Sequence, residues 1–129
     1  MRAPFIAAIV AVAAIAPVPS AAAEVRNYSP QLFTAAQKAN RPILVDVYAD
    51  WCPICRAQQQ VMAPLLKRPE FNKLVVLRLN FDSQKQYWKQ MGVRQQSTLI
   101  AFKGRNEVAR TVGETDGDAI AELVRTAIH

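Results

Sequence analysis

The chain contains two cysteines, Cys52 and Cys55, and they lie three residues apart in the stretch DWCPICR. A pair with this spacing can form a structural disulfide, supply two metal ligands, or open and close as a redox couple. A disulfide across so short a loop stabilises a fold by only about 2 kcal/mol through loop closure. A structural zinc site takes four ligands, and the chain adds a single histidine, His129, at its end. Both of these interpretations stay open, but neither is favoured.

The residues around the pair favour the redox couple. Residues 42–49 (PILVDVYA) form an apolar run typical of a strand buried on both faces. A helical pattern begins at Pro53, with an apolar face predicted from the spacing of Ile54, Ala57, Val61 and Leu65. Cys52 therefore lies at the start of a helix, where backbone N–H groups and the helix dipole stabilise a thiolate. Cys55 follows one turn later, so we expect it to be the better shielded thiol and the one that resolves the bond formed by Cys52. Pro53 suits the first helical turn, and Ile54 adds no charge beside the thiols.

The remaining periodicities predict an α/β fold in which helices cover both faces of a sheet. The predicted order is α-β-α-β-α-β-β-α, with a first helix from Pro30 and a second buried strand at residues 74–81 (LVVLRLNF). A helix capped by Asp82 follows, and the segments STLIAF and EVARTV flank KGRN in an antiparallel hairpin. The last helix carries apolar residues at helical spacing, and Thr115 and Asp118 are placed as its capping box.

Residues 1–23 are predicted to be a secretory leader. An apolar run, residues 5–16, follows Arg2 and ends at prolines, and small residues up to Ala23 supply a cleavage site. The run is shorter than the roughly 20 apolar residues of a membrane-spanning helix. We therefore expect cleavage near Ala23, a single domain at residues 24–129, and a periplasmic or secreted location. An uncleaved N-terminal anchor is the alternative.

Composition argues against several partners and cofactors. The net charge is +6, but the basic residues are scattered and no aromatic-basic stripe follows a helix, so nucleic-acid binding is not expected. The four glycines build no dinucleotide-binding fingerprint, so no nucleotide cofactor is expected. A monomer is the default expectation.

Three segments resemble those of the thioredoxin-like thiol-disulfide oxidoreductases. ILVDVYADWCPIC is similar to the strand and active-site segment of that family, GVRQQSTLIAFKG to the segment that faces the active site, and TVGETDGDAIAELV to the final strand and helix. Within the family, VDVYADWCPIC with RPEFNKL most resembles the C-terminal, electron-donating domain of the membrane disulfide reductase DsbD. The resemblance implies a thioredoxin-like fold with a central mixed sheet.

The resemblance also implies roles for residues around the cysteines. Asp46 matches an aspartate that helps to move the proton of the second cysteine, and burial in an apolar strand should raise the pKa of its carboxyl. Arg78 matches a basic residue that pairs with this aspartate; a purely structural ion pair is the alternative. Trp51 would pack beside the thiols. Three further residues would form the loop that receives the substrate: Gln96, Ser97 and Thr98.

Two positions depart from the family pattern. The family has a cis-proline where this chain has Ser97. A cis bond before any other residue costs roughly 2.5 to 4 kcal/mol, so we expect the Gln96–Ser97 peptide to be trans or strained. The proline also keeps metals from the thiols, so a metal- or cluster-binding protein is the alternative function. Gln59 stands where the DsbD domain has an acidic residue, so tuning of the thiols by a second carboxylate is absent.

The expected function is thiol-disulfide exchange by an exported protein, in the reducing direction. Cys52 and Cys55 would cycle between dithiol and disulfide, with protein or peptide disulfides and thiols as substrates. An upstream thiol donor, for which a membrane reductase is a candidate, would supply the electrons. The direction follows from the resemblance to an electron-donating domain, although C-P-x-C pairs also occur in oxidants.

Overall fold

The computed structural model describes residues 1–17 and 22–129. Its strands and helices all lie after residue 23. Residues 1–17 form no helix or strand. The elements in chain order are β1 (Glu24–Asn27), α1 (Pro30–Lys38), β2 (Pro42–Tyr48), α2 (Pro53–Leu65), β3 (Val75–Asn80), α3 (Lys85–Gln90), β4 (Thr98–Lys103), β5 (Asn106–Val112) and α4 (Gly117–Ile128). A short 3-10 helix, Pro69–Phe71, lies between α2 and β3.

The strands form one mixed sheet in the order β1-β3-β2-β4-β5. β1 and β2 pair in parallel with β3, whereas β4 pairs antiparallel with both β2 and β5. The predicted α/β fold with a central mixed sheet is thereby confirmed. The sequence did not indicate β1, because its residues EVRN include a single apolar side chain, Val25, and the strand is held by its backbone ladder to β3.

The side chains of β2 point alternately to the two faces of the sheet and contribute to a separate core cluster on each face. Val45 and Val47 pack in a cluster with residues of α1 and α3, whereas Leu44 packs in a second cluster with residues of α2 and α4. Asp46 alternates in step with Leu44, so its side chain lies on the face that α2 covers. The register of the parallel pair aligns Asp46 with Arg78 on β3. The fold therefore brings a carboxylate and a guanidinium together beneath α2.

The helix boundaries correct two of the predicted caps. Gln84, which makes no side-chain hydrogen bond to the helix, precedes α3, so Asp82 does not cap it. Asp116, whose carboxylate accepts a hydrogen bond from the third helical N–H, caps α4 in place of the predicted Thr115–Asp118 box. In both helices the element was predicted correctly and its first turn was not, because several neighbouring polar residues can each act as a cap.

The predicted leader lies partly outside the described residues. Residues 18–21, which include part of the predicted cleavage segment, are outside them. Among the residues that are described, no helix combines the length and the apolar character needed to cross a membrane. Cleavage near Ala23 and a domain at residues 24–129 stay predictions.

Candidate active site

The two cysteines form a thiol pair at the first turn of α2. Cys52 is the N-cap residue, and its sulfur accepts a hydrogen bond from the backbone N–H of Cys55 at 3.1 Å. Pro53 occupies the first helical turn, where its missing N–H leaves no hydrogen bond unmade. A sulfur atom at this position accepts a hydrogen bond from an N–H group and lies at the positive end of the helix dipole. Both effects stabilise a thiolate. Both residues are free thiols in the structure.

The two thiols are shielded to the same degree, which corrects one expectation. Cys52 is 2% exposed and Cys55 is 3% exposed, so Cys55 is not the better shielded residue. Both pack with Ala49, and the half-buried rings of Tyr48 and Phe81 contact this cluster. Because so little of Cys52 reaches the surface, a disulfide substrate must displace neighbouring atoms before it contacts the sulfur.

Cys55 is a thiol that needs a base in order to react. Burial raises its pKa to about 11, and the hydrogen bond with Cys52 acts in the same direction. The backbone groups of Ala49 and Ser97 lower this pKa, which opposes the effect of burial. A thiol with this pKa is protonated at neutral pH and attacks a disulfide only after it loses its proton. Cys55 also lines a surface cavity of about 270 Å³.

Asp46 carries a buried carboxyl group, as the sequence predicted. It is 2% exposed, and burial raises its pKa to about 6 against the lowering effect of Arg78. Its Oδ2 atom lies 3.6 Å from Nε of Arg78, an ion pair longer than a direct hydrogen bond. The side chain lines a second cavity of about 190 Å³ beneath α2. A carboxyl group with this pKa exchanges protons in the neutral range.

Tyr48 and Gln59 hold the guanidinium of Arg78, and the sequence did not identify either residue as its partner. The Cζ atom of Arg78 lies 3.8 Å from the centroid of the Tyr48 ring, a cation–π contact. In the amide orientation that pairs its oxygen with donors, Gln59 accepts hydrogen bonds from Arg78 Nε at 3.0 Å and from Nη2. Gln59 and Arg78 line both the cavity at Cys55 and the cavity at Asp46.

The Ser97 turn, residues 96–98, lies against the thiol pair in a strained conformation. No cis peptide occurs among the described residues, so the Gln96–Ser97 bond is trans, and Ser97 has a left-handed φ of 59°. Its N–H donates to the carbonyl of Val47 at 2.8 Å, and its carbonyl accepts from the N–H of Gly113 at 2.9 Å. Its hydroxyl donates to the carbonyl of Gln96 at 2.6 Å. A left-handed conformation costs about 1 to 2 kcal/mol outside glycine, and these bonds hold it.

A buried glutamine, Gln58, ties the Ser97 turn to α2. Its Nε2 donates to the carbonyl of Ser97 at 3.1 Å and to the carbonyl of Glu114 at 3.0 Å. The side chain is fully buried, and its Oε1 has no hydrogen-bond partner among the residues that the structure describes. Sequence reasoning missed this residue, because a glutamine within a run of three glutamines carries no signal of burial.

Exposed apolar side chains surround the site. Trp51 and Ile54, on either side of Cys52, are 56% and 47% exposed. Val112 is exposed on β5, where it pairs with Thr98 of the Ser97 turn. The indole N–H of Trp51 donates to Asp82 at 2.9 Å. The Asp82 carboxylate, which was predicted to cap α3, therefore binds Trp51. An apolar rim around a thiol suits contact with a polypeptide segment.

Among the described residues, the fold brings no third metal ligand to the thiol pair. In the part of the chain that the structure describes, no three side chains of His, Cys, Asp or Glu come together as a metal site. The thiol pair alone supplies two of the four ligands that a closed zinc site takes.

Comparison with known proteins identifies the family. The thioredoxin family model matches residues 24–126. The chain belongs to the thioredoxin family. It is 36% identical over 84 residues to thioredoxin from Alicyclobacillus acidocaldarius (63% of this chain and 76% of that protein). It is 37% identical over 90 residues to thioredoxin from Pseudomonas aeruginosa (67% and 80%).

A solved structure gives the same result. Trxlp from Edwardsiella tarda EIB202 aligns with a TM-score of 0.76 at 44% identity, over 78% of this chain and 98% of that chain. The expected thioredoxin-like fold is confirmed, and the protein is a thiol-disulfide oxidoreductase. The closer resemblance to the DsbD domain is not tested by these proteins and stays a prediction.

Proposed function

We propose that the protein is exported and passes electrons to protein disulfides through Cys52 and Cys55. The observation that carries the proposal is the Cys52 sulfur at the N-terminus of α2, with Cys55 one turn away and its N–H donated to that sulfur at 3.1 Å. Export is supported by the leader-like composition of residues 1–23. Outside the cytosol thiols tend to be oxidised, so the dithiol needs a dedicated electron donor.

The first step is the attack of the Cys52 thiolate on a substrate disulfide. The substrate S–S bond breaks, and a new bond forms between Cys52 and one substrate sulfur. The other substrate sulfur leaves as a thiolate and takes a proton from water. The N–H of Cys55 and the dipole of α2 favour the anionic sulfur before the attack.

The second step is the resolution of this mixed disulfide by Cys55. The Cys55 thiol gives its proton to the carboxylate of Asp46. Burial raises the pKa of Cys55 and keeps it protonated at neutral pH, whereas a pKa of about 6 leaves Asp46 ionised. The Cys55 thiolate attacks Cys52, the second substrate sulfur leaves, and a Cys52–Cys55 disulfide remains. Two electrons have then moved to the substrate, and a dithiol donor restores the protein.

The Ser97 turn and the apolar rim serve as the substrate-contact surface in this proposal. The rim residues Trp51, Ile54 and Val112 present apolar surface on both sides of the thiol pair. The carbonyl of Gln96 accepts the Ser97 hydroxyl, and its second lone pair can accept a hydrogen bond from a substrate segment. Contact with the rim also provides the displacement that exposes Cys52.

The decisive experiment compares single cysteine variants. Cys55→Ser is expected to accumulate mixed disulfides with substrate proteins, which non-reducing electrophoresis and mass spectrometry detect and identify. Cys52→Ser, the matched control, is expected to accumulate none. Equal trapping by both variants, or by neither, would refute the assigned order of attack.

The direction and the export are tested separately. The reduction potential of the pair, measured against glutathione and dithiothreitol buffers, is expected near the thioredoxin range of about −270 mV. A value near the roughly −120 mV of strong oxidants would overturn the reducing direction. Cell fractionation with N-terminal sequencing is expected to find a mature chain that starts near Glu24, and an intact N-terminus in the cytosol would overturn the export.

A further inference from the structure

Gln59 occupies a position from which it controls the contact between Arg78 and Asp46. In the amide orientation that pairs its oxygen with donors, this oxygen accepts from Arg78 Nε at 3.0 Å. The same Nε atom lies 3.6 Å from Asp46 Oδ2. One N–H group therefore faces two acceptors, and the shorter contact is the one to Gln59. The guanidinium is therefore shared between the amide and the carboxylate, and its contact with the carboxylate is the longer one.

The Tyr48 ring also contacts the guanidinium of Arg78. The guanidinium carbon lies 3.8 Å from the ring centroid, so Arg78 contacts both an aromatic face and the Gln59 amide. Gln59 and Arg78 both line the cavity at Cys55 and the cavity at Asp46. The side chains of Gln59 and Arg78 therefore border both the Cys55 thiol cavity and the cavity at Asp46, the proposed base.

We propose that Gln59 is a positioning residue that keeps Arg78 at a distance from Asp46 and so preserves the ability of Asp46 to take the proton of Cys55. The inference rests on the proposed role of Asp46 as that base. Without the amide, the Nε–H of Arg78 is free to donate directly to Asp46, and a direct charge-assisted hydrogen bond stabilises the carboxylate against protonation. A glutamate at the same position binds Arg78 more strongly and adds a negative charge near Asp46, which has the opposite effect.

Other charged and titratable groups surround this contact. Arg78 is the basic group that faces Asp46 from β3. The groups at the Cys55 cavity and at the start of α2 are Tyr48, Asp50, Cys52, Cys55 and Arg56. Asp50 and Arg56 are exposed, so solvent screens their effect on Asp46 more than that of Arg78. The substitution of Gln59 therefore changes the strongest of these interactions.

The test uses Gln59→Leu and Gln59→Glu, with Gln60→Leu and Gln60→Glu as matched controls. Gln60 is the exposed neighbour on the same helix and takes no part in the site. The first measurement is the titration of the Asp46 carboxyl by carbon NMR in the reduced protein. The second is the pH profile of resolution, followed as the release of thionitrobenzoate from its mixed disulfide with Cys52. Circular dichroism verifies the fold of each variant.

Gln59→Leu is expected to lower the titration midpoint of Asp46 by about one pH unit, and Gln59→Glu to raise it by about one unit. The pH profile of resolution should move in the same directions, and the Gln60 variants should leave both measurements unchanged. Equal midpoints in both Gln59 variants, or shifts of the same sign, would overturn the proposal. Asp46→Asn separates the two claims: if it leaves the resolution profile unchanged, the role of Asp46 as base fails, while the NMR midpoints still decide the role of Gln59.

Discussion

Replacing Asp46 with asparagine is expected to stabilise the folded protein at neutral pH and to leave its stability nearly unchanged in acid. The carboxyl is 2% exposed, and burial raises its pKa from the ordinary 3.8 to about 6. The folded state therefore binds the proton more tightly than the unfolded chain does. Stability is highest below the unfolded pKa, falls as the pH rises from about 4 to about 6, and stays at the lower level above that.

The size of the effect follows from the two pKa values. A shift from 3.8 to about 6 corresponds to about 3 kcal/mol, since one pKa unit is worth about 1.4 kcal/mol. At pH 7.5 Asp46→Asn should therefore gain about 3 kcal/mol in the free energy of unfolding, because the amide carries no charge to desolvate. At pH 4 the gain should fall to about 0.5 kcal/mol, since the folded protein then holds Asp46 protonated.

Urea unfolding at a series of pH values measures this prediction, with the cysteines kept reduced as they are in the structure. A gain of about 3 kcal/mol moves the midpoint by about 2 M urea for an m-value of about 1.5 kcal/mol/M. Asp50→Asn is the matched control, because Asp50 is an exposed carboxylate near the same site. A gain in Asp46→Asn that is the same at pH 4 and pH 7.5, or no gain at all, would show that desolvation of the carboxylate is not what raises its pKa.

Two further predictions concern the Ser97 turn. Gln58→Leu is expected to destabilise the fold by about 1 to 3 kcal/mol, because the carbonyls of Ser97 and Glu114 lose a donor. Gln58→Glu should cost more, about 3 to 5 kcal/mol at neutral pH, because it places an unpaired carboxylate against two carbonyl oxygens. Urea unfolding measures both variants, with Gln60→Leu as the control. A Gln58→Glu variant as stable as Gln58→Leu would contradict the hydrogen bonds from Gln58 to the two carbonyls. Ser97→Gly should be about 1 kcal/mol more stable than Ser97→Ala, because glycine adopts a φ of 59° without strain, and the reverse order would exclude a left-handed residue there.

The sheet and the thiol pair could be predicted because their signals are local. Residues 42–49 and 74–81 are apolar runs of strand length, and the structure has β2 and β3 within them. The pairing of Asp46 with Arg78 also follows once these two strands are neighbours, because their register aligns the two residues. Cys52 at the start of α2 follows from the change of periodicity at Pro53.

The interior contacts of α2 could not be predicted in the same way. The spacing of Ile54, Ala57, Val61 and Leu65 indicated an apolar face, but Ile54 is 47% exposed. The residues that α2 buries are Cys55, Gln58, Met62 and Leu65. The helix is rotated relative to the predicted face, since the thiol and the amide each have a partner that only the tertiary fold supplies. The role of Gln59 depends on Arg78, a residue on a separate strand, and leaves no pattern in the sequence.

Three of the features that cost this domain stability lie around α2 and the Ser97 turn. The buried polar residues of the described chain are Asp46, Gln58, Ser97 and Thr98. They include a desolvated carboxylate, an amide oxygen without a partner and a left-handed serine, each of which costs stability. Asp46 lies beneath α2, and Gln58 and the Ser97 turn lie beside Cys55, whereas the rest of the interior is apolar. In the proposed function Asp46 is a base whose proton exchange near neutrality depends on its desolvation, and the Ser97 turn receives the substrate in one held conformation. These costs therefore lie where the proposed chemistry uses them.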